Sequence, residues 1–289
     1  MAPHQDLPQV DIESIIEAAQ AAADLVLQMQ RDGLRQLQNK SSAIDIVTEA
    51  DLASEKLLRT RLAALLPQAS FWGEESNQPP QDPLFWLVDP IDGTTNFANN
   101  IPFFCISVAL NTGTPGIDAE PQMGVIVELP SRRVFYGVKD SGAFVREVNG
   151  AESALRVNAN QQLRRSVVAS GFPYHRGEAE DNNSAEFAHF MPQCQSIRTL
   201  GSAALGIAYV AAGALTAFWE GWLGPWDAAA GALLVREAGG QVVDYLGQPW
   251  VMQARGLIAH NGQAAIEQAL VGGIQSARAG LTTRKLNGV

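Results

Sequence analysis

The hydrophobic pattern changes its period part-way along the chain, and that change limits the fold more than any single residue does. Between Ser70 and Asn158 the apolar residues form short continuous or alternating runs: Phe85 to Val88, Phe104 to Leu110, Met123 to Leu129, Val134 to Val138 and Ala143 to Val148. Runs of this length, punctuated by Gly, Pro and Asn, predict a largely antiparallel sheet, with Asn149-Gly150 a favoured tight turn. From Ser166 onward strands and helices alternate. Val167 to Ser170, Ser196 to Thr199, Leu215 to Glu220, Gln241 to Tyr245 and Leu257 to His260 read as strands. Ala185 to Phe190, Ser202 to Ala212, Asp227 to Ala238 and Gln263 to about Ala277 read as helices, with a loosely ordered tail from Ala279. The class is therefore α/β of the mixed α+β kind. A soft boundary near residue 160 divides an α+β half, 1–160, from an α/β half, 161–289.

Ahead of the sheet, Asp11 to Arg31 repeats Ile12, Ile15, Ile16, Ala19, Ala22, Ala23 and Val26 on one helical face, with Asp11 as N-cap and Gly33 beyond the end. Asn39 to Ile46 reads as a polar connection. Thr48 then opens a second helix, Asp51 completing a capping box and Pro67 marking its end.

With 46% apolar residues the chain can bury a large core, and its formal charge of -10 disfavours nucleic acids and anionic membranes as partners. Cys105 and Cys194 are the only cysteines, which excludes a disulfide framework and suits a reducing compartment. Met1 to Leu7 lacks the basic and apolar segments of a signal peptide. The most apolar stretch, Ala203 to Trp219, is too short to span a bilayer and reads as a buried helix running into a strand. A cytoplasmic location is the expectation.

Four segments place acids at strand ends and helix starts, where remote parts of a fold converge. They are Gly73-Glu74-Glu75-Ser76, the run Asp89-Pro90-Ile91-Asp92-Gly93-Thr94-Thr95-Asn96, Trp226-Asp227, and Asp51 in the first turn after Thr48. Taken singly, each is an ordinary cap, turn or charged loop. Pro90, however, bends the chain so that Asp89, Asp92 and the Ile91 carbonyl can face one point. The N–H groups of Gly93, Thr94 and Thr95 can form an anion nest beside them. Oxygen ligands next to a phosphate cradle suit Mg²⁺, and the absence of His or Cys argues against zinc.

Taken along the chain, Asp45 to Asp51, Gly73 to Ser76, Asp89 to Asn96 and Trp226 to Gly231 resemble, in order and approximate spacing, the inositol monophosphatase family of magnesium-dependent, lithium-sensitive phosphomonoesterases over roughly Val10 to Ile266. The resemblance implies a layered αβαβα sugar-phosphatase sandwich, usually dimeric, with the active site in a cleft between its halves. It further implies that Glu74, Asp89 and the Ile91 carbonyl hold one Mg²⁺, that Asp89, Asp92 and Asp227 hold a second, and that Glu74 approaches a third. Thr94 and Asp51 would orient and deprotonate the attacking water on the first metal, with Glu74 counted beside them as catalytic. Gly93, Thr94 and Thr95 would grip the phosphate. Gly201, Ser202 and Ala203 would contact the sugar ring, and Glu220 and Asp227 its hydroxyls.

The substrate implied is a small sugar or polyol phosphate, first myo-inositol 1-phosphate. Leu223-Gly224-Pro225 departs from the inositol enzymes and is similar to histidinol-phosphate phosphatases of the same superfamily. Fructose 1,6-bisphosphate and 3′-phosphoadenosine 5′-phosphate are further rivals, and from another class stands a binding role at the transcription machinery. His175-Arg176 reads as a solvated loop pair that could instead reach a second anionic group. Lys40 either points to solvent or projects its charge toward the metals. His4, His189 and His260 are isolated, and Trp219 and Trp222, near Glu220, read as core, with a sugar-stacking platform as the alternative.

Overall fold

The computed structural model describes residues 10–33, 37–42, 45–177 and 181–286. α1 (Ile12–Arg31) follows the predicted spacing: Asp11 accepts from the Glu13 N–H, and Ile15, Ile16, Ala19, Ala22, Ala23 and Val26 are buried. β1 (Leu37–Ser42) and β2 (Asp45–Thr48) then pair antiparallel, in place of the predicted polar connection. A ribbon this short, paired through its backbone, carries too few apolar residues to show an alternation in the sequence. α2 (Glu49–Leu65) starts at Thr48, with both hydrogen bonds of the capping box made.

Seven strands form the first sheet in chain order: β3 (Ser70–Gly73), β4 (Leu84–Asp92), β5 (Phe104–Thr112), β6 (Glu120–Leu129), β7 (Val134–Val138), β8 (Gly142–Arg146) and β9 (Glu152–Ala154). Only the β3 and β4 pairing is parallel. A short helix, α3 (Thr94–Ala98), leads from β4 to β5. The second sheet is made from β10 (Val167–Ser170), β11 (Ser196–Arg198), β12 (Ala217–Gly221), β13 (Gln241–Val243) and β14 (Gly256–His260), in the order β11-β10-β12-β14-β13. Its helices are α4 (Ser184–Phe190), α5 (Ala203–Ala211), α6 (Pro225–Glu237) and α7 (Ala264–Leu286).

Period-2 alternation distributes these strands between three cores. On β4, Trp86 and Val88 join Ile15, Ala19, Leu58 and Leu62 beneath α1 and α2, while Phe85 and Leu87 turn toward α5 and α6. On β12, Phe218 faces α5 and α6, and Trp219 faces Phe190, Ile266 and Leu270 of α4 and α7. The layers are thus α1/α2, seven-stranded sheet, α5/α6, five-stranded sheet and α4/α7, the αβαβα sandwich that the resemblance implies.

Several ends differ from expectation, two of them for a local reason. β13 stops at Val243 because Asp244 accepts from the N–H groups of Leu246 and Gln248, closing a turn where the apolar run predicts strand. α7 continues to Leu286, past the expected end near Ala277 and through the tail read as loose, since Leu281, Arg284, Lys285 and Leu286 are good helix formers. Among the described residues, no helix is long and apolar enough to cross a membrane.

Candidate active site

Residues 89 and 92 of a regular strand would point to opposite faces. The β4–β5 register shifts between them, so that Asp89 pairs with Ser107 and Asp92 with Cys105, two residues on one face of β5. The irregularity at Pro90 and Ile91 thereby turns both carboxylates the same way. Asp89 also accepts from the Ile91 N–H at 3.0 Å, which holds the bend. Gly93 follows with φ +95°, and a Cβ there would lie 2.9 Å from the Gly201 carbonyl, so this position admits glycine alone without strain.

Asp227 comes from the other half of the sandwich. It sits in the first turn of α6, accepting from the Gly224 N–H at 2.8 Å after Pro225 has set the helix entry. Oxygens of Asp89, Asp92 and Asp227 all lie within 4.8 Å of one another, close enough to share a cation. Asp92 is gripped by the start of α5, accepting from the Ser202 hydroxyl and from the Ala203 and Ala204 N–H groups. Ser202 and Ala203, singled out as sugar contacts, therefore also serve as donors to this acid.

Thr94 opens α3 and places its hydroxyl 3.1 Å from both the Asp51 carboxylate and the Ile91 carbonyl. Asp51 is fully buried on α2, its other oxygen held by Thr48. Glu74 lies at the cleft wall, paired with Lys40 at 2.8 Å, and Lys40 also reaches Glu75 at 2.6 Å. Burial opposes the charge on Lys40, but Glu74 and Glu75 outweigh it and hold its pKa up. The two readings of Lys40 resolve into an ion-paired cation on the cleft wall.

Asp51, Asp89, Asp92 and Asp227 share a reluctance to ionise. Burial pushes Asp51 up to about 6, with Thr48 opposing and Glu74 adding to it. Asp92 is likewise pushed up to about 6 by burial, despite the donors on α5. Asp89 and Asp227 are driven well above the ordinary carboxylate range by burial and then by neighbouring acids. Such a group of hard oxygen donors fits a divalent cation, whose charge relieves the repulsion that packing creates.

The cleft holds about 900 Å³ and is lined by every residue selected from the sequence as a metal, phosphate or sugar contact, Glu74, Thr95, Gly201 and Glu220 included; Asp51 alone lies behind it. His175, Arg176 and Trp222 line the same cleft. Trp222 is 44% exposed, with Arg255 over its ring at 3.9 Å, so the core reading fails for it, whereas Trp219 is fully buried. His260 is buried, His189 packs edge-on against Phe190, and His4 lies outside the described residues.

Comparison with known proteins gives this geometry its relatives. Residues 8–278 match the inositol monophosphatase family. The chain belongs to that family. It is 35% identical to the inositol-1-monophosphatase of Synechocystis sp., over 80% of this chain and 77% of that one. It is 33% identical to a Pseudomonas aeruginosa protein named Nus factor SuhB, over 85% and 89%. The structure of the inositol monophosphatase from Anabaena (Nostoc) sp. superposes with a TM-score of 0.78 at 33% identity, covering 92% of this chain and 95% of that one. As a family member the chain is a metal-dependent phosphatase for small phosphate substrates.

Several residues of this phosphatase site escape a reading of charged motifs. Ser54 donates to the Pro90 carbonyl at 3.0 Å, Ser107 to the Trp226 carbonyl at 3.1 Å, and Asn96 to the Phe103 and Leu200 carbonyls. Gly171 sits beneath Glu220, where a Cβ would fall 2.2 Å from its carboxylate. One signal does exist: Asp51, Ser54 and Glu55 are polar at i, i+3 and i+4, the spacing at which an amphipathic helix presents its buried face.

Proposed function

We propose that this phosphatase hydrolyses the monophosphate of a small polyol, first myo-inositol 1-phosphate, with Mg²⁺ held by Asp89, Asp92, Asp227, Glu74 and the Ile91 carbonyl. The observation that carries the reading is the cluster of Asp89, Asp92 and Asp227 within 4.8 Å, set beside the Thr94–Asp51 pair. When two or three Mg²⁺ are bound there, they acidify water and neutralise charge on the phosphate and leaving oxygens.

The chain's own groups do the rest. The single Thr94 proton is shared between Asp51 and the Ile91 carbonyl, which leaves the hydroxyl oxygen free to accept from a water molecule. Asp51, with a pKa of about 6, is ionised at neutral pH yet basic enough to take the proton that Thr94 passes on. The first amides of α3, at Gly93, Thr94 and Thr95, have no partners within the helix and suit phosphate oxygens. Glu220 faces the cleft and accepts polyol hydroxyls; Gly201 and Ala203 supply the wall opposite.

Other parts of the reading have narrower support. The division into halves 1–160 and 161–289 is supported by the sheets, since the β1–β2 ribbon and the seven-stranded sheet fall in the first and the five-stranded sheet in the second, and the catalytic cleft would lie between them. Homodimerisation and lithium inhibition follow from the family resemblance, and a cytoplasmic setting is the expectation from the thin cysteine usage. A role like that named for the Pseudomonas aeruginosa relative would add to catalysis rather than replace it, because a binding protein has no need of five converging acids. The decisive experiment compares kcat/KM for Mg²⁺-dependent phosphate release from inositol 1-phosphate, histidinol phosphate, fructose 1,6-bisphosphate and 3′-phosphoadenosine 5′-phosphate. Preference for any of the last three removes inositol 1-phosphate as substrate, and release without added divalent cation removes the metal reading.

A further inference from the structure

Helix α2 turns one buried face toward the cleft, and three successive polar residues on it each hold a different part of the site. Asp51 meets Thr94, Ser54 donates to the Pro90 carbonyl between Asp89 and Asp92, and Glu55 accepts from the N–H groups of Glu75 at 2.9 Å and Ser76 at 3.4 Å. The third contact has no counterpart in the mechanism above. Glu55 is only 7% exposed, and its nearest cation, Arg59, stands at 3.4 Å with its guanidinium over the Phe71 ring. A carboxylate so buried and so loosely paired is costly to the fold, and a glutamine or an apolar side chain would fill the space with less desolvation.

Its arrangement is nonetheless tightly fitted. A Cβ at Gly73 would lie 2.2 Å from the Glu55 carboxylate, so the residue before Glu74 is glycine where Glu55 comes closest. Ahead of the turn, the Glu74 N–H donates to the Val88 carbonyl at 3.0 Å; behind it, the Asn77 N–H donates to the Gly73 carbonyl at 2.8 Å. Glu55 closes the remaining side with charge-assisted hydrogen bonds to the two amides that follow Glu74.

We propose that Glu55 is a positioning residue for metal binding: by holding the amides of Glu75 and Ser76 it fixes where the Glu74 carboxylate stands relative to Asp89. The inference rests on the reading of Glu74 as a metal ligand. Glu55 touches neither substrate nor ion; it determines how much Glu74 must be reorganised when an ion binds. The same helix that carries the base thereby also sets the metal affinity, so α2 couples the two.

The test titrates Mg²⁺ alone into metal-free protein, followed by heat of binding and by the rise in thermal midpoint, with Mg²⁺-dependent phosphate release measured alongside. Glu55→Ala is expected to raise the Mg²⁺ midpoint about tenfold or more, while kcat at saturating Mg²⁺ returns to within about threefold. Gly73→Ala, which pushes the carboxylate aside, shifts the midpoint in the same direction. The double variant is no worse than Glu55→Ala alone apart from the Phe71 ring, 2.8 Å from the new Cβ. If Glu55→Ala does not fold, Glu55→Gln keeps the volume and the single oxygen to which both amides donate but loses its charge, and still shifts the midpoint by about threefold. An unchanged Mg²⁺ midpoint in Glu55→Gln and Glu55→Ala, with only the metal-free thermal midpoint lowered, overturns the proposal in favour of a structural role. Glu74→Gln separates the two readings. Should it leave the midpoint unmoved, the ligand assignment fails and this inference with it; should it shift the midpoint while the Glu55 variants do not, this inference alone fails.

Discussion

The Thr94 hydroxyl stands 3.1 Å from the Asp51 carboxylate, joining the first turns of α3 and α2. Asp51 is thus held from two sides, by Thr48 as a helix cap and by Thr94 as a proton relay. Asp51→Asn keeps an oxygen for the Thr48 N–H but loses the base. Its kcat should fall by roughly 10²- to 10⁴-fold, with KM and cooperative unfolding nearly unchanged. Thr94→Val, which keeps the side-chain shape, should show the same pattern. Normal turnover in either variant at saturating Mg²⁺ would remove the pair from the mechanism.

The raised acids also predict how the metal-free protein responds to pH. Asp92 has an ordinary value of 3.8 and is pushed up to about 6, so the folded state holds its proton more tightly than the unfolded chain does. Stability from this group is present below about 4 and is lost as pH rises through about 6. Asp92→Asn removes that loss. Its thermal midpoint without metal should therefore exceed the parent's at pH 7.5 and match it near pH 4.5. Mg²⁺ should stabilise the parent more at pH 7.5 than at pH 5, because protons and the ion compete for the same oxygens. A stabilisation independent of pH would mean that the ion binds elsewhere.

Asp227→Asn tests the cluster from the opposite half of the sandwich. The amide oxygen still accepts from the Gly224 N–H, so the α6 cap survives and unfolding should stay cooperative. Phosphate release should nevertheless be lost, since one of three clustered carboxylates has become neutral. The readout is turnover across a Mg²⁺ titration beside a thermal melt. Retained turnover would show that Asp89 and Asp92 suffice.

What the sequence disclosed follows from which forces act locally. Period-2 alternation around Trp86 and Val88, and the capping box at Thr48 and Asp51, are written in neighbouring residues, so strands and helix starts were legible, whereas the layer order came from the family resemblance. The convergence of Asp89 and Asp92 was half legible: Pro90 announces a bend, but the shift that turns both acids to one face is a property of pairing with β5. Ser107, and the role of Asn96 within its motif, were hidden because each serves a backbone carbonyl over a hundred residues away, Trp226 and Leu200. The β1–β2 ribbon was hidden for a different reason, since backbone pairing alone leaves no mark on composition. Trp222 misled because an indole can face a core or a cleft, and only its neighbours decide.

Gly171 and Glu220 permit a test of specificity apart from catalysis. A methyl at residue 171 would fall 2.2 Å from one Glu220 oxygen and 2.4 Å from the other, so Gly171→Ala must displace that carboxylate. The atoms it meets are the far end of a flexible side chain, and the backbone can stay in place. If Glu220 binds polyol hydroxyls, kcat/KM for inositol 1-phosphate should fall about tenfold or more, because hydroxyls seated against a misplaced acceptor lose their hydrogen bonds. Hydrolysis of para-nitrophenyl phosphate, whose leaving group has no hydroxyls to seat, should fall much less. Glu220→Gln should give the same contrast by a different chemical route. Equal losses on both substrates would instead place Glu220 with the metal cluster; burial, and then the Asp227 and Asp92 charges, already hold its pKa well above the ordinary range.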